Sequence, residues 1–336
     1  MEFHSEEKSI PSFLDEEEKR RFVEKRWTHI LSPSVQQRGD VFLTYSGICF
    51  QLGKIFADSV YHKAYPKLRY FLQAHYNLLV KSKKKIVGTS LYLHSPWSVV
   101  NYHHWLVDSL PRLYPFVSRL KEVILLPEEL RTVDFVQQSL KILGVRHIGY
   151  FSKGEVVYAE KLQYAELTPG DFMLTGNLKP AVGLLKSALK ESAAPPYRKI
   201  YLSRQGTGYR TIANQQETEE ILFDLGFEKL EPDKLSLEEQ IAVFSETKIL
   251  LGVHGAGLTN SVFMPEGAVL YELHPSIRPP QSIFNYCYWN LASYFGLGYY
   301  FQGCEPVETK ERFHTANLVV DTVKLRNQLS QVLRTI

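Results

Sequence analysis

Residues 252–260 read Gly-Val-His-Gly-Ala-Gly-Leu-Thr-Asn, the stretch of this chain that speaks most directly of chemistry. It follows Lys248-Ile-Leu-Leu251, an apolar run of strand type, and leads into Leu258–Met264, which can open a helix. Glycines at a strand-to-helix turn expose backbone N–H groups at the positive end of a helix, an arrangement suited to a phosphate or diphosphate. His254 adds a donor that can also carry a proton. A second strand-type run, Lys199–Ser203, leads directly into Arg204, with Arg210 six residues on. Both guanidiniums belong at the carboxyl end of that strand, where planar donors of permanent charge make a diphosphate clamp. The bland alternative is a pair of solvated loop arginines. Glu272 interrupts the apolar Val-Leu-Tyr-Glu-Leu-His-Pro. It is either an acceptor for ribose hydroxyls or a plain strand position.

The N-terminal half carries Asn101-Tyr-His-His104-Trp-Leu-Val-Asp108-Ser-Leu-Pro111-Arg112. On a helix, positions 101, 104 and 108 share one face. An amide, an imidazole and a carboxylate there can position an acceptor hydroxyl and take its proton, with His103 and Arg112 as further positioning candidates. A structural reading stands equally: Asp108 pairs with Arg112 four residues on, and His104 is a satisfied core histidine. Zinc is the poorer reading, because no third ligand stands nearby in sequence.

These residues need strands and helices to position them. Short β-type runs at 41–45 and 48–52, punctuated by Gly39, Gly47 and Gly53, predict hairpins. The rhythm then becomes alternating: helix over 101–120, strand 122–126, helix 133–143 ending at Gly144, strand 145–150. Pro195-Pro196 within 190–198 marks a linker. Beyond it, strand 199–203 is followed by an Asn214-x-x-Glu217 capping box opening a helix to Leu225, with Gly226 after its end. Then come strand 227–230, a Ser236-x-x-Glu239 capped helix through Thr247, and strands 248–253 and 268–273. This order is a Rossmann-like half, with ligands expected beyond the carboxyl ends of the strands. A last helix is expected over about 318–333, and the charged residues 1–35 as a solvent-facing helix or extension.

The chain's 336 residues exceed one comfortable core. The expected division is 1–190 as an N-terminal α/β domain, 191–315 as a Rossmann-like domain, and 316–336 as a C-terminal helix free to cross back. With 39 basic and 36 acidic residues the charge is too balanced to imply nucleic acid. Lys81-Ser-Lys-Lys-Lys85 is a local basic run, read as a solvated turn or as contact with acceptor or anionic lipid. Cys49, Cys287 and Cys304 are far apart and odd in number, which argues for a reducing compartment and against a structural zinc. With no apolar h-region behind the N-terminus and no uninterrupted run of 18 apolar residues, the reading is cytoplasmic, admitting peripheral contact at an inner membrane face.

Taken together, Asn-x-x-His-x-x-x-Asp-x-x-Pro-Arg, the strand ending Ser-Arg, Arg210 and Asn214, Glu239-Gln240, Gly-x-His-Gly-Ala-Gly-Leu-Thr-Asn and Glu-Leu resemble glycosyltransferase family 61 over roughly residues 85–275. The resemblance implies a GT-B fold, two Rossmann-like domains facing a cleft, with the donor bound C-terminally. It also implies a nucleotide-sugar donor, usually a UDP-sugar, with inversion at the anomeric carbon and neither metal nor cofactor. Carried over by position, Ser203, Arg204, Arg210, His254, Gly255, Ala256, Gly257 and Leu258 should contact the donor, with Asn260 nearby. Asn101, His104 and Asp108 should face the reacting carbon. Without the anchor and cysteine pairs of the eukaryotic members, the chain resembles the bacterial branch tied to capsular polysaccharide. That implies a glycan or lipid-linked glycan acceptor.

The expected function is therefore glycosyl transfer, with Asp108 favoured as base and His104 close behind. The non-enzymatic alternative is a nucleotide-sugar-binding scaffold. An α/β-hydrolase fails for want of Gly-x-Ser-x-Gly, and a P-loop enzyme for want of its lysine motif.

Overall fold

The computed structural model describes residues 2–60, 67–99, 101–167, 173–189, 195–204, 208–276, 284–307 and 316–336. The chain forms two compact units, one of Met1–Ser5 and His29–Leu189, the other of Glu6–Thr28 and Lys190–Ile336. Most of the expected 190–198 linker lies outside the described residues.

The first 35 residues are not a simple solvent-facing extension. They form β1 (Glu2–Glu7), α1 (Glu16–Glu24) and β2 (Trp27–Ser32). A capping box between Asp15 and Glu18 starts α1. Its Phe22 is fully buried among Phe284, Trp289 and Phe301 of the second unit, with ring centroids 4.7, 4.7 and 5.3 Å away. Lys8 is buried too, its ammonium 3.9 Å from the Trp289 ring centroid and donating to Asn290 Oδ1. Burial lowers its pKa to about 7.

In the first unit, β3 (Val35–Leu43), β4 (Cys49–Gln51) and β5 (Lys54–Ile55) make the expected hairpins, with Phe42 opposite Phe50. Then follow α2 (Lys67–Val80), β6 (Ser82–Tyr92), a short α3 (Tyr102–His104), β7 (Val123–Pro127), α4 (Asp134–Ile142), β8 (Ile148–Phe151) and β9 (Glu155–Ala165). Their sheet has the order β5-β4-β3-β9-β6-β7-β8. It is parallel from β9 through β8 and antiparallel from β9 through β5, so only one half alternates in the α/β manner. β10 (Met173–Thr175) pairs with β2, and α5 (Leu178–Ser187) closes the unit.

The second unit contains β11 (Arg198–Leu202), α6 (Gln215–Asp224), β12 (Glu228–Leu230), α7 (Leu237–Ser245), β13 (Thr247–Val253), β14 (Val269–Pro275), α8 (Cys287–Tyr294), β15 (Gly298–Pro306), β16 (Leu318–Val319) and α9 (Thr322–Thr335). The sheet order is β12-β11-β13-β14-β15-β16, parallel until the last, antiparallel pair. The order reverses direction between β11 and β13. In a doubly wound sheet this switch point opens the ligand crevice at the carboxyl ends of the strands.

Ser236 and Glu239 form their capping box, while Asn214 does not. Its side chain is spent instead on the backbone of Val320, accepting from the N–H and donating to the carbonyl. The C-terminal helix belongs to the second unit. Leu325, Leu329 and Val332 of α9 pack with Leu222, Ile249 and Tyr271 in the core of their own unit.

Candidate active site

The carboxyl ends of β11 and β13 bring Ser203, Arg204 and the 254–257 turn into one neighbourhood. Ser203 follows β11 directly, its N–H donated to the Leu230 carbonyl. After β13, Gly255 is extended at φ 170° and a 3₁₀ segment, not an α-helix, runs from Ala256 to Phe263. Its first amides have no partner within the segment, and Ala256 and Gly257 are half-exposed. A Cβ on Gly255 would overlap Arg204 Nη1, so the glycine exists where a guanidinium lies flat against the backbone. Arg210 donates to the His254 carbonyl at 3.2 Å from a left-handed backbone, φ 53°. Both arginines flank the Tyr209 ring, at 5.3 and 5.7 Å. Burial and then the Arg204 charge lower the Arg210 pKa. Two cations held this close, beside open amides, define a place for a multiply charged anion. Residues 205–207 of the connecting loop lie outside the described residues.

Glu272 departs from expectation. It is fully buried, with Oε1 2.5 Å from His254 Nδ1 and Oε2 accepting from the Tyr299 hydroxyl at 2.5 Å. A carboxylate so enclosed does not reach a ribose; it orients His254 instead. Burial lifts its pKa to about 7, against the lowering influence of His274, Tyr299 and Arg210. His254 is also boxed by the rings of His274 and Tyr288, at 4.9 and 5.1 Å, and Tyr288 donates to the Gly255 carbonyl at 2.6 Å. The Nδ1 bond to Glu272 fixes the orientation of the His254 ring.

Two other donor candidates turn inward. Asn260 is fully buried, its amide donating to Gln240 Oε1 at 3.0 Å, which ties the turn to α7. Leu258 is buried and its N–H donates to the Gly255 carbonyl. These residues brace the turn from beneath.

Among the described residues, His254, Glu272 and His274 form a group whose ligand atoms lie within 4.8 Å of one another, as a metal site requires. Here Nδ1 of His254 bonds Glu272, and Nδ1 of His274 donates to the Pro275 carbonyl at 2.8 Å. Burial drives the His274 pKa down to about 3, so this ring is neutral. One hydrogen bond joins His254 to Glu272, and His274 meets His254 edge-on.

In the first unit the expected continuous helix over 101–120 breaks into three kinds of turn. After α3, one π-helical turn spans Trp105–Ser109 and a 3₁₀ segment spans Leu110–Arg119, with Pro111 and Pro115 precluding regular α-helical bonding. His104 Nδ1 lies 2.7 Å from Asp108 Oδ2, a dyad with both side chains largely buried. The buried Trp105 indole donates to Ser139 on α4 and anchors the turn from behind. Asn101 is the helix cap, its oxygen accepting from the His103 N–H at 2.9 Å. That is a different use from facing a reacting carbon. His103 sits edge-on to His104 at 5.3 Å.

Arg112 is neither a sugar contact nor the partner of Asp108. It is buried, donating Nε to Ala165 and Nη1 to Leu93 and His94, with its guanidinium 4.3 Å from the Tyr92 ring centroid. Those carbonyls follow or end the parallel strands β6 and β9. Arg112 thus fastens the segment carrying the dyad to the carboxyl edge of the sheet.

Sequence reasoning passed over Trp97, Tyr288 and Tyr299. Trp97 stays about half exposed with its ring 6.0 Å from His104. No spacing rule would have found them, because each acts through a contact distant in sequence or off the helix face considered.

Two guanidiniums and a glycine turn at a sheet switch point suit the binding of a phosphate group. The comparisons supply the class. A family profile described as Glycosyltransferase 61 matches residues 102–271, half of the chain. The chain belongs to glycosyltransferase family 61. It is 35% identical over 113 residues to an EGF domain-specific O-linked N-acetylglucosamine transferase of Drosophila melanogaster, covering 31% of this chain and 20% of the relative. The Gallus gallus protein of the same name is 29% identical over 106 residues, covering 30% and 19%. Beta-1,2-xylosyltransferase XAX1 of Oryza sativa subsp. japonica is 33% identical over 90 residues, covering 26% and 16%. The matched part thus spans about a fifth of these relatives' lengths. Among solved structures, the dodecameric iron-containing heptosyltransferase TibC, in complex with ADP-D-beta-D-heptose, overlaps 62% of this chain and 63% of its own at 11% identity. Its TM-score of 0.26 carries no argument.

Proposed function

We propose that the chain is an inverting, metal-independent glycosyltransferase of GT-B type, with the second unit as donor side and the first as acceptor side. It takes a nucleotide-sugar, a UDP-sugar in this reading, and transfers the sugar to a glycan hydroxyl, a lipid-linked glycan included. The observation that carries the reading is the pairing of Arg204 and Arg210 at the 254–257 turn. Charge developing on the departing diphosphate is met there by two guanidiniums and the turn amides, preorganised before the bond breaks. His254, oriented by Glu272, would donate to that charge or to the sugar in its imidazolium form, in which both ring nitrogens carry protons.

In the single displacement proposed, the acceptor oxygen attacks C1 as the C1–O bond to the diphosphate breaks, and the hydroxyl proton passes to the dyad. The sequence favoured Asp108 as base. The 2.7 Å bond supports a division of labour in which Asp108 holds Nδ1–H and His104 Nε2 takes the proton. The exposed indole of Trp97 offers a face for a sugar ring. Bacterial surface-polysaccharide synthesis is the proposed setting, supported by resemblance alone.

The test is nucleotide release from UDP-N-acetylglucosamine and UDP-xylose, with and without acceptor glycans. Arg204→Ala should lower turnover by about 10²–10³-fold, as loss of a leaving-group donor does, with the melting temperature retained. Near-normal turnover in that variant would overturn the assignment of the cradle. Donor binding with no turnover for any acceptor would return the chain to the scaffold reading.

A further inference from the structure

Helix α2 has two apolar faces, and only one is used. Tyr70, Ala74 and Leu78 pack on Ile48, Phe50 and Val156 of the sheet. Leu68, Leu72, Tyr76, Leu79 and Val80 lie on the other side, each between 57% and 84% exposed. Their spacing places them on one arc of about 120° at 100° per residue. Leu52, 75% exposed, stands beside Gly53, whose N–H donates to His75 of this helix at 3.0 Å. A solvated helix has no use for such a face.

Charge is segregated to the same region. Between Asp58 and Asp108 the chain carries seven Lys and Arg residues and no Asp or Glu. The run 81–85 leaves α2 directly into β6. Lys83 lies opposite Val156, one of the residues on which α2 packs, so Lys83 and Lys85 emerge on the sheet face that carries α2. Lys85 pairs with Glu160 and Lys84 donates to the Tyr150 carbonyl. Among the described residues no carboxylate pairs with Lys81 or Lys83.

We propose that this face is a docking surface for an anionic lipid bilayer, with the α2 arc entering the interfacial region and Lys81, Lys83 and Lys85 meeting the headgroups. Charge selects this occupant over a second copy of the chain. A two-fold contact through the same face would bring two unneutralised lysine clusters together, whereas an anionic surface neutralises them. An apolar arc and a basic cluster are the two signals that together hold a protein at a membrane where either alone holds it weakly. No helix among the described residues is long and apolar enough to cross a membrane, so the contact is one of surface only.

The test uses the full chain with sedimenting vesicles of phosphatidylcholine, alone or with about 30 mol% phosphatidylglycerol. The wild type should partition onto the anionic vesicles and much less onto the neutral ones. Leu72→Glu with Leu79→Glu should lower that partitioning at least tenfold, and Lys81→Gln with Lys83→Gln by about tenfold or more, as loss of two interfacial lysines does. Raising salt from about 0.1 to 0.5 M should weaken it severalfold. The control Val323→Glu, at an exposed position on α9, should bind as wild type. Nucleotide release with soluble acceptor and the melting temperature should be unchanged in all three variants. Equal binding to both vesicles, no binding to either, or equal loss in the α2 and control variants would overturn the proposal. So would a wild-type dimer that Leu72→Glu with Leu79→Glu splits in the absence of lipid.

Discussion

His254 is held by a carboxylate that has no exposure of its own, so the ring's orientation is a property of the core. Glu272→Gln keeps the shape and an acceptor oxygen but removes a group whose pKa stands near 7. We expect kcat/KM to fall on the order of tenfold, about 1.4 kcal/mol. The inflection near pH 7 should vanish from its pH profile. An unchanged profile would show that Glu272 does not act through His254. At the dyad, His104→Ala and Asp108→Ala should each lower kcat strongly while the double variant loses little more, because residues acting as a unit are not additive. Additive losses would separate the two roles. Gly255→Ala tests the cradle from the other side. Its methyl group displaces the Arg204 guanidinium, so donor affinity should drop while stability holds, as isothermal titration with UDP and thermal melting would show.

Elements place these residues through bonds that spacing does not reveal. The 101–119 segment keeps its position at the sheet edge because Arg112 spends its guanidinium on three backbone carbonyls. Arg112→Ala leaves those carbonyls buried and unpaired, which costs about 3 kcal/mol or more. Urea unfolding should show that loss, and Arg112→Lys should recover only part of it, since an ammonium cannot fork across two strand ends. A variant as stable as wild type would return Arg112 to a role in ligand binding. The π-turn at 105–109 belongs to this scale as well. It rotates Asp108 relative to an ideal helix, and the dyad forms across it.

For the molecule as a whole, buried histidines set the response to acid. His94, donating to the Tyr45 carbonyl, is held neutral with its pKa lowered to about 3 by burial and then by Arg112. Its folded value lies below the unfolded 6.5, so the unfolded state takes up the proton first. The stability associated with His94 is therefore complete above about pH 6.5 and declines as pH falls toward 3, by up to about 1.4 kcal/mol per pH unit. His274 acts in the same direction. Glu272, raised above its unfolded value, acts oppositely: it favours the folded state below about pH 4.5, an advantage lost as pH rises to 7. Urea midpoints at pH 7 and 5 should fall for the wild type and fall less for His94→Gln. An equal fall in both would remove His94 as a cause.

Much of the second unit was legible in the residues themselves. Strand-type runs, a capping box at Ser236 and glycine after α6 are local signals, and the local physics that produces them survives into the fold. The family motif was legible for the same reason: glycines beside a strand end and an arginine after it must lie together once the strands pair. The sequence could equally offer Asn101, Arg112, Asn260 and Glu272 as ligand contacts, since each is polar and close to a motif. Only tertiary structure showed that Asn101 caps a helix, Arg112 fastens two strand ends, Asn260 braces the turn on α7 and Glu272 is sealed behind His254. Side-chain type and spacing determine what chemistry a residue can do. Whether it faces a ligand or the core depends on partners tens of residues away, and only the packed chain brings those into contact.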